Sequence, residues 1–147
     1  MGKWTRQINE KDFVLSQESA ENSIKELLDY YDVNIIAEEG TPDGKIVEGN
    51  FTELTLCYRR GIFENRMGEK GLDVIQKLKS GETLTYRSIT GGDRKFMDRF
   101  GDGEPHTKAY SFMGRLCGLG EDGILKMDPR DLRAMERLFF IFLLVTA

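Results

Sequence analysis

Histidine, cysteine and proline are scarce in this chain: one, two and three residues among 147. With His106 as the single histidine, any Ser–His or Cys–His pairing has to run through it, and nothing beside Cys57 or Cys117 marks an activated thiol. The two cysteines lie far apart, with no Cys-x-x-Cys pair and no secretory signal, so reduced thiols in a cytosol are expected. Met1–Arg6 has no apolar h-region of the kind a signal peptide needs, which empties the sequon Asn50-Phe51-Thr52 of meaning. The apolar run Leu138–Val145 is eight residues long, well short of the ~20 that a membrane span requires. A basic excess is missing too. The formal net charge is -4, and Arg and Lys alternate with acids, as in Asp93-Arg94-Lys95 and Glu136-Arg137. That argues against a general nucleic-acid binder and leaves an acidic surface compatible with basic partners. The phosphate-cradling G-x-x-x-x-G-K-[ST] and the metalloprotease H-E-x-x-H are both absent.

What is present is enough for one domain with a real core: 39% of the residues are hydrophobic. No repeat, low-complexity tract or linker interrupts residues 1–147, but the composition shifts from a mixed strand and helix part, 1–89, to a helical part, 90–147. The expected class is α+β: a small, mostly antiparallel sheet with helices, and a helical C-terminal half.

Trp4, Ile8, Phe13, Val14 and Leu15 suggest an ordered lead-in or a strand. Ser16 offers an N-cap with Glu18 in the first turn, and Ile24, Leu27, Leu28 and Tyr31 recur at helical spacing, which predicts a helix ending near Tyr31 or Asp32. Val33–Ala37 reads as a short strand, Gly40-Thr41-Pro42-Asp43-Gly44 as a turn, and Lys45-Ile46-Val47 as the returning strand. Alternation in Phe51–Tyr58 puts Leu54 and Leu56 on one face and Glu53, Thr55 and Cys57 on the other, predicting a strand, and Glu82–Ile89 predicts another. Between them Leu72, Val74, Ile75 and Leu78 suggest a helix over about Glu69–Lys79. Thr90 then caps a helix running through Phe100, with Asp93 at N3 in a near capping box. Gly101-Asp102-Gly103-Glu104-Pro105 breaks it. A helix over about His106–Cys117 follows, with Gly118 at its C′ position, and Asp128, Pro129 and Asp131 mark the clearest helix start in the chain.

Few constellations suggest chemistry. Gly118-Leu119-Gly120-Glu121-Asp122-Gly123 matches G-x-G-x-x-G by letter, but a helix precedes it where a strand is needed, and its two acids repel a pyrophosphate; a helix–helix loop is the better reading. Asp102, Glu104 and His106 alternate in one loop, too few ligands for a calcium loop and better read as a solvated turn. Glu38-Glu39 reads as solvated surface. Arg59, Arg60, Arg66, Lys70, Arg94, Lys95 and Arg99, with Tyr58 and Tyr86 nearby, would suit single-stranded nucleic acid if they converged, but Glu64, Glu69, Asp93 and Asp98 are interspersed. No catalytic residue, metal ligand or cofactor site is assigned, and neither nucleic acid nor membrane is expected as a partner. In the last helix the polar face vanishes after Leu138, which marks either a helix packed into its own core or a docking surface.

The fragments Leu84-Thr85-Tyr86-Arg87, Thr90-Gly91-Gly92-Asp93, Leu116-Cys117-Gly118-Leu119 and Leu125-Lys126-Met127-Asp128-Pro129-Arg130-Asp131-Leu132, the last leading into an apolar helix with Phe, follow one another in order. From about Thr83 to Val145 the chain thereby resembles the tail assembly chaperones of long-tailed bacteriophages, notably Mu-like phages. The N-terminal 80 residues depart from that short pattern. The resemblance implies a non-enzymatic protein in the host cytoplasm that coats the tape-measure protein and recruits tail tube subunits, with homo-oligomers possible and, in many members, a frameshifted longer form. Helix-in-groove recognition would then use Leu138, Phe139, Phe142 and Leu143. The alternatives are a structural virion component of tail, neck or baseplate, and a small enzyme or nucleic-acid binder of another kind.

Overall fold

Ser16 begins the ordered part as the sequence suggests: its hydroxyl accepts from the Ser19 N–H and starts α1, Gln17–Tyr30. This computed structural model describes residues 12–34, 42–100 and 105–147, without the side chains of residues 42, 43, 45 and 46. The lead-in holding Trp4 and Ile8 lies outside the described residues. α1 buries Ala20, Ile24 and Leu27, and the chain leaves it through Asp32 at φ 54°.

The next element corrects the reading of this region. Instead of a returning strand over Lys45–Val47 and another over Phe51–Tyr58, one helix, α2, runs over Pro42–Arg59. The segment alternates through Leu54 and Leu56, but Phe51, Leu54, Thr55 and Tyr58 fall at helical spacing, and burial selects the helical set: Leu54, Thr55 and Tyr58 are interior. The Thr55 hydroxyl is satisfied within the helix, donating to the Phe51 carbonyl at 2.6 Å. Residues 35–41, which hold most of the expected first strand and the start of the turn, are outside the described residues, and Pro42–Gly44 open α2.

Three strands follow, β1 (Phe63–Met67), β2 (Leu72–Lys77) and β3 (Thr83–Tyr86), forming an antiparallel sheet in the order β1-β2-β3. β2 stands where a helix over Glu69–Lys79 was expected. Its inner face is Leu72, Val74 and Gln76, and the polar Gln76 conceals the two-residue period. Phe63 pairs with Gln76, and Val74 with Tyr86, so these side chains form the face that the helices cover.

The helical half is close to expectation. α3 spans Gly91–Met97 behind a full capping box between Thr90 and Asp93. α4 spans Pro105–Cys117 and ends at Gly118, φ 81°. The expected loop after it contains a short helix, α5, Gly120–Leu125, which lies so close that a Cβ on Gly114 would sit 2.5 Å from the Gly120 carbonyl carbon. α6, Pro129–Thr146, starts at Asp128, whose carboxylate accepts from the Arg130 N–H at 2.8 Å. Buried residues of α1, α2, the sheet, α3, α4, α5 and α6 form one continuous core, so the fold is α+β with a helical C-terminal half.

Candidate functional surfaces

The most tightly built polar feature centres on Asp93, whose side chain is fully buried. Arg87, just past β3, grips the carboxylate with both guanidinium nitrogens at 2.6 and 2.8 Å. Arg115 of α4 donates through Nε at 2.7 Å, and the Thr90 N–H adds a fourth bond at 2.9 Å. Burial pushes the Asp93 carboxyl up, but these hydrogen bonds outweigh it and hold it well below the usual carboxylate range. A carboxylate so permanently ionised and enclosed cannot work as a proton carrier near neutral pH; it joins strand, capped helix and α4. The same corner is tied to α1, because the Ile89 N–H donates to the Tyr31 hydroxyl at 2.8 Å. Burial raises the Tyr58 and Tyr86 phenols and the Cys117 thiol, so these groups stay protonated.

Four residues were expected to meet a partner. Leu138, Phe139 and Phe142 are interior here, and Leu143 is half-buried. Phe139 and Phe142 pack against Phe112 of α4 at ring distances of 6.0 and 6.4 Å, and Phe140, on another side of the helix, meets Phe51 of α2 at 6.0 Å. The polar face of α6 disappears because α4 and α2 both cover it. His106 sits exposed in the first turn of α4, with Nδ1 3.8 Å from Glu136, while Asp102 and Glu104 lie outside the described residues. No group of three His, Cys, Asp or Glu among the described residues is placed to hold a metal ion.

The basic residues gather differently from the set read in the sequence. Arg59 lies over the Phe13 ring, Arg66 is beside Glu64 on β1, Arg94 and Lys95 belong to α3, and Arg99, just past its end, lies over the Phe96 ring. Tyr58 and Tyr86 are buried, so neither offers a stacking face. Of that set, Arg60 alone enters a cleft of about 470 Å³ between the end of α2 and the first turns of α6, facing Arg130, Arg133 and Arg137, with Lys79 from the β2–β3 connection. Lys77 lines the adjoining part of the cleft. The spacing of Arg130, Arg133 and Arg137 is the sequence signal for this face, since i, i+3 and i+7 share one side of a helix.

On the other side of α2 runs an apolar groove of about 490 Å³ against α1, floored by Ile24, Leu28, Val33, Phe51 and Leu56. Glu21, Lys25, Asp29 and Glu48 stand along it. No helix among the described residues is long and apolar enough to cross a membrane. Comparison with protein-family models, with curated proteins and with solved structures finds no match.

Proposed function

We propose that this chain is a tail assembly chaperone of a long-tailed bacteriophage: a non-enzymatic adaptor that binds the tape-measure protein and helps recruit tail tube subunits. The observation that carries the reading is that the motifs behind the resemblance hold one another. Arg87 ends the Leu84–Arg87 strand motif, Asp93 ends the Thr-Gly-Gly-Asp motif, and Arg115 immediately precedes Leu116-Cys117-Gly118-Leu119; these three side chains form one ionic knot around the buried Asp93 carboxylate. Asp128 then caps the apolar α6, as the last motif suggests.

Partner binding falls to another surface than the one expected from α6. The α1–α2 groove combines an apolar floor with more acids than bases along its sides, which suits an amphipathic partner helix carrying basic flanks. In this reading the tape-measure helix occupies that groove, and tube subunits meet the chain elsewhere.

Quantitative mass spectrometry of the polypeptide in purified particles and in the matching infected-cell lysate tests the proposal. Abundance in lysate and absence from particles is the expected result. A fixed copy number in particles makes the chain a structural component of tail, neck or baseplate instead.

A further inference from the structure

The chain is acidic overall, yet Arg60, Lys77, Lys79, Arg130, Arg133 and Arg137 converge on one side of it. Within the described residues Arg60, Lys77, Lys79 and Arg133 form no ion pair. Arg130 is held by Asp128, and Arg137 donates to Asn50 at 3.4 Å. Like charges gathered in a concave place raise the local potential and draw in anions.

The cleft is also rigidly built. The Tyr86 hydroxyl donates to the buried Gln76 Oε1 at 2.6 Å, and Gln76 Nε2 donates to the Asp131 carbonyl at 2.9 Å. The Asp131 carboxylate in turn accepts from the Lys79 N–H at 3.1 Å. The sheet, the β2–β3 connection and the first turn of α6 are therefore fixed to one another beneath the cations, so little ordering remains to be done on binding.

We propose that this cleft docks an acidic segment of a protein partner, with its carboxylates on Arg60, Lys79 and Arg133. The forked guanidinium groups match carboxylates in a two-bond geometry. Ile62 and Ala134 give the floor an apolar component that a peptide can use and a phosphate chain cannot. Among the described residues that line it none is aromatic, so they give bases nothing to stack on. The cleft has the size of a site for a few side chains, within the usual range of about 300–1,000 Å³. This assignment does not depend on the phage reading.

A titration of the full, nitrogen-labelled chain with a capped hexaglutamate peptide at low ionic strength, followed by amide chemical shifts, tests it. Oligothymidylate, inorganic phosphate and hexalysine are titrated in parallel. Saturable shifts confined to the surroundings of Arg60, Lys79 and residues 130–137 are expected. Arg133→Glu or Lys79→Glu should weaken binding about tenfold or more, while Arg66→Glu, outside the cleft, should bind like the parent. Two cleft variants keep the test valid should one of them fold poorly. Shifts scattered over the surface, or no saturation, overturn the proposal. Tighter binding of oligothymidylate or phosphate than of the peptide overturns it in favour of a phosphate ligand. Shifts of the same amides on raising the protein concentration alone assign the cleft to a second copy, whose α1 carries Glu18, Glu26 and Asp29 in exposed positions.

Discussion

Arg87 and Arg115 share one buried carboxylate, whereas Arg60 and Arg133 line a cleft and form no ion pair among the described residues. All four residues are of one type, and their surroundings separate their roles. At Asp93 two guanidinium groups share a buried carboxylate, and three segments of chain are locked to each other. In the cleft the hydrogen bonds beneath the cations are complete, but the charges above them are left for something else. Arginines that hold a fold together are recognised by a buried acceptor, and those offered to a partner by a rigid support without one.

Removing the shared carboxylate is the most damaging way to break this contrast. Asp93→Ala should cost about 2–4 kcal/mol, less than a fully buried pair because both guanidinium groups reach solvent. The measurement is urea unfolding. Acid should act in the same direction. The Asp93 pKa is lowered on folding, so its stabilisation is complete above about pH 4, the ordinary carboxylate value, and is lost as the pH falls toward the lowered one. Asp93→Asn should flatten that part of the stability–pH curve.

Gly114→Ala should come next, at about 2 kcal/mol, because the new methyl would meet the Gly120 backbone and force α4 away from α5. Thermal unfolding reads the loss, and Arg115, on the same helix, should lose part of its grip on Asp93. Under the open cleft, Tyr86→Phe strands a buried Gln76 oxygen and should cost about 1–2 kcal/mol, again by urea unfolding. Arg133→Glu should leave stability within about 0.5 kcal/mol, since the residue is exposed and forms no ion pair among the described residues. A large stability loss in that variant would erase the distinction between the two clusters.

The knot was half legible in the sequence. Thr90 and Asp93 announce a capping box at three-residue spacing, but Arg87 and Arg115 are brought to it by the packing of α4 beside β3, which no local pattern encodes. Ser16, Asp128 and Pro129 likewise placed α1 and α6, because caps are local chemistry. The middle of the chain was misread for a different reason. Phe51–Tyr58 satisfies both periods, and only the core formed with α1 and α6 chooses the helix. In β2 a buried glutamine occupies a core-facing position, tolerable because Tyr86 and Asp131 satisfy its amide, so the alternation of apolar residues breaks off. β1 exposes most of its length and keeps Phe63 as its one buried residue, leaving almost no pattern to detect. The Arg130–Arg133–Arg137 stripe was available as a helical face, but its meaning depends on Arg60 and Lys79 arriving from elsewhere.

Co-expression of the full chain with the tape-measure protein of the long-tailed phage that the proposed function assigns it to tests that proposal most directly, with Leu28→Glu as the groove variant. Leu28 is partly buried at the groove, so a charge there should disturb docking before folding. The expected result is a soluble complex that the variant weakens about tenfold or more while its own unfolding curve stays close to the parent. A tape-measure protein that stays insoluble beside a soluble, unbound chain would contradict it.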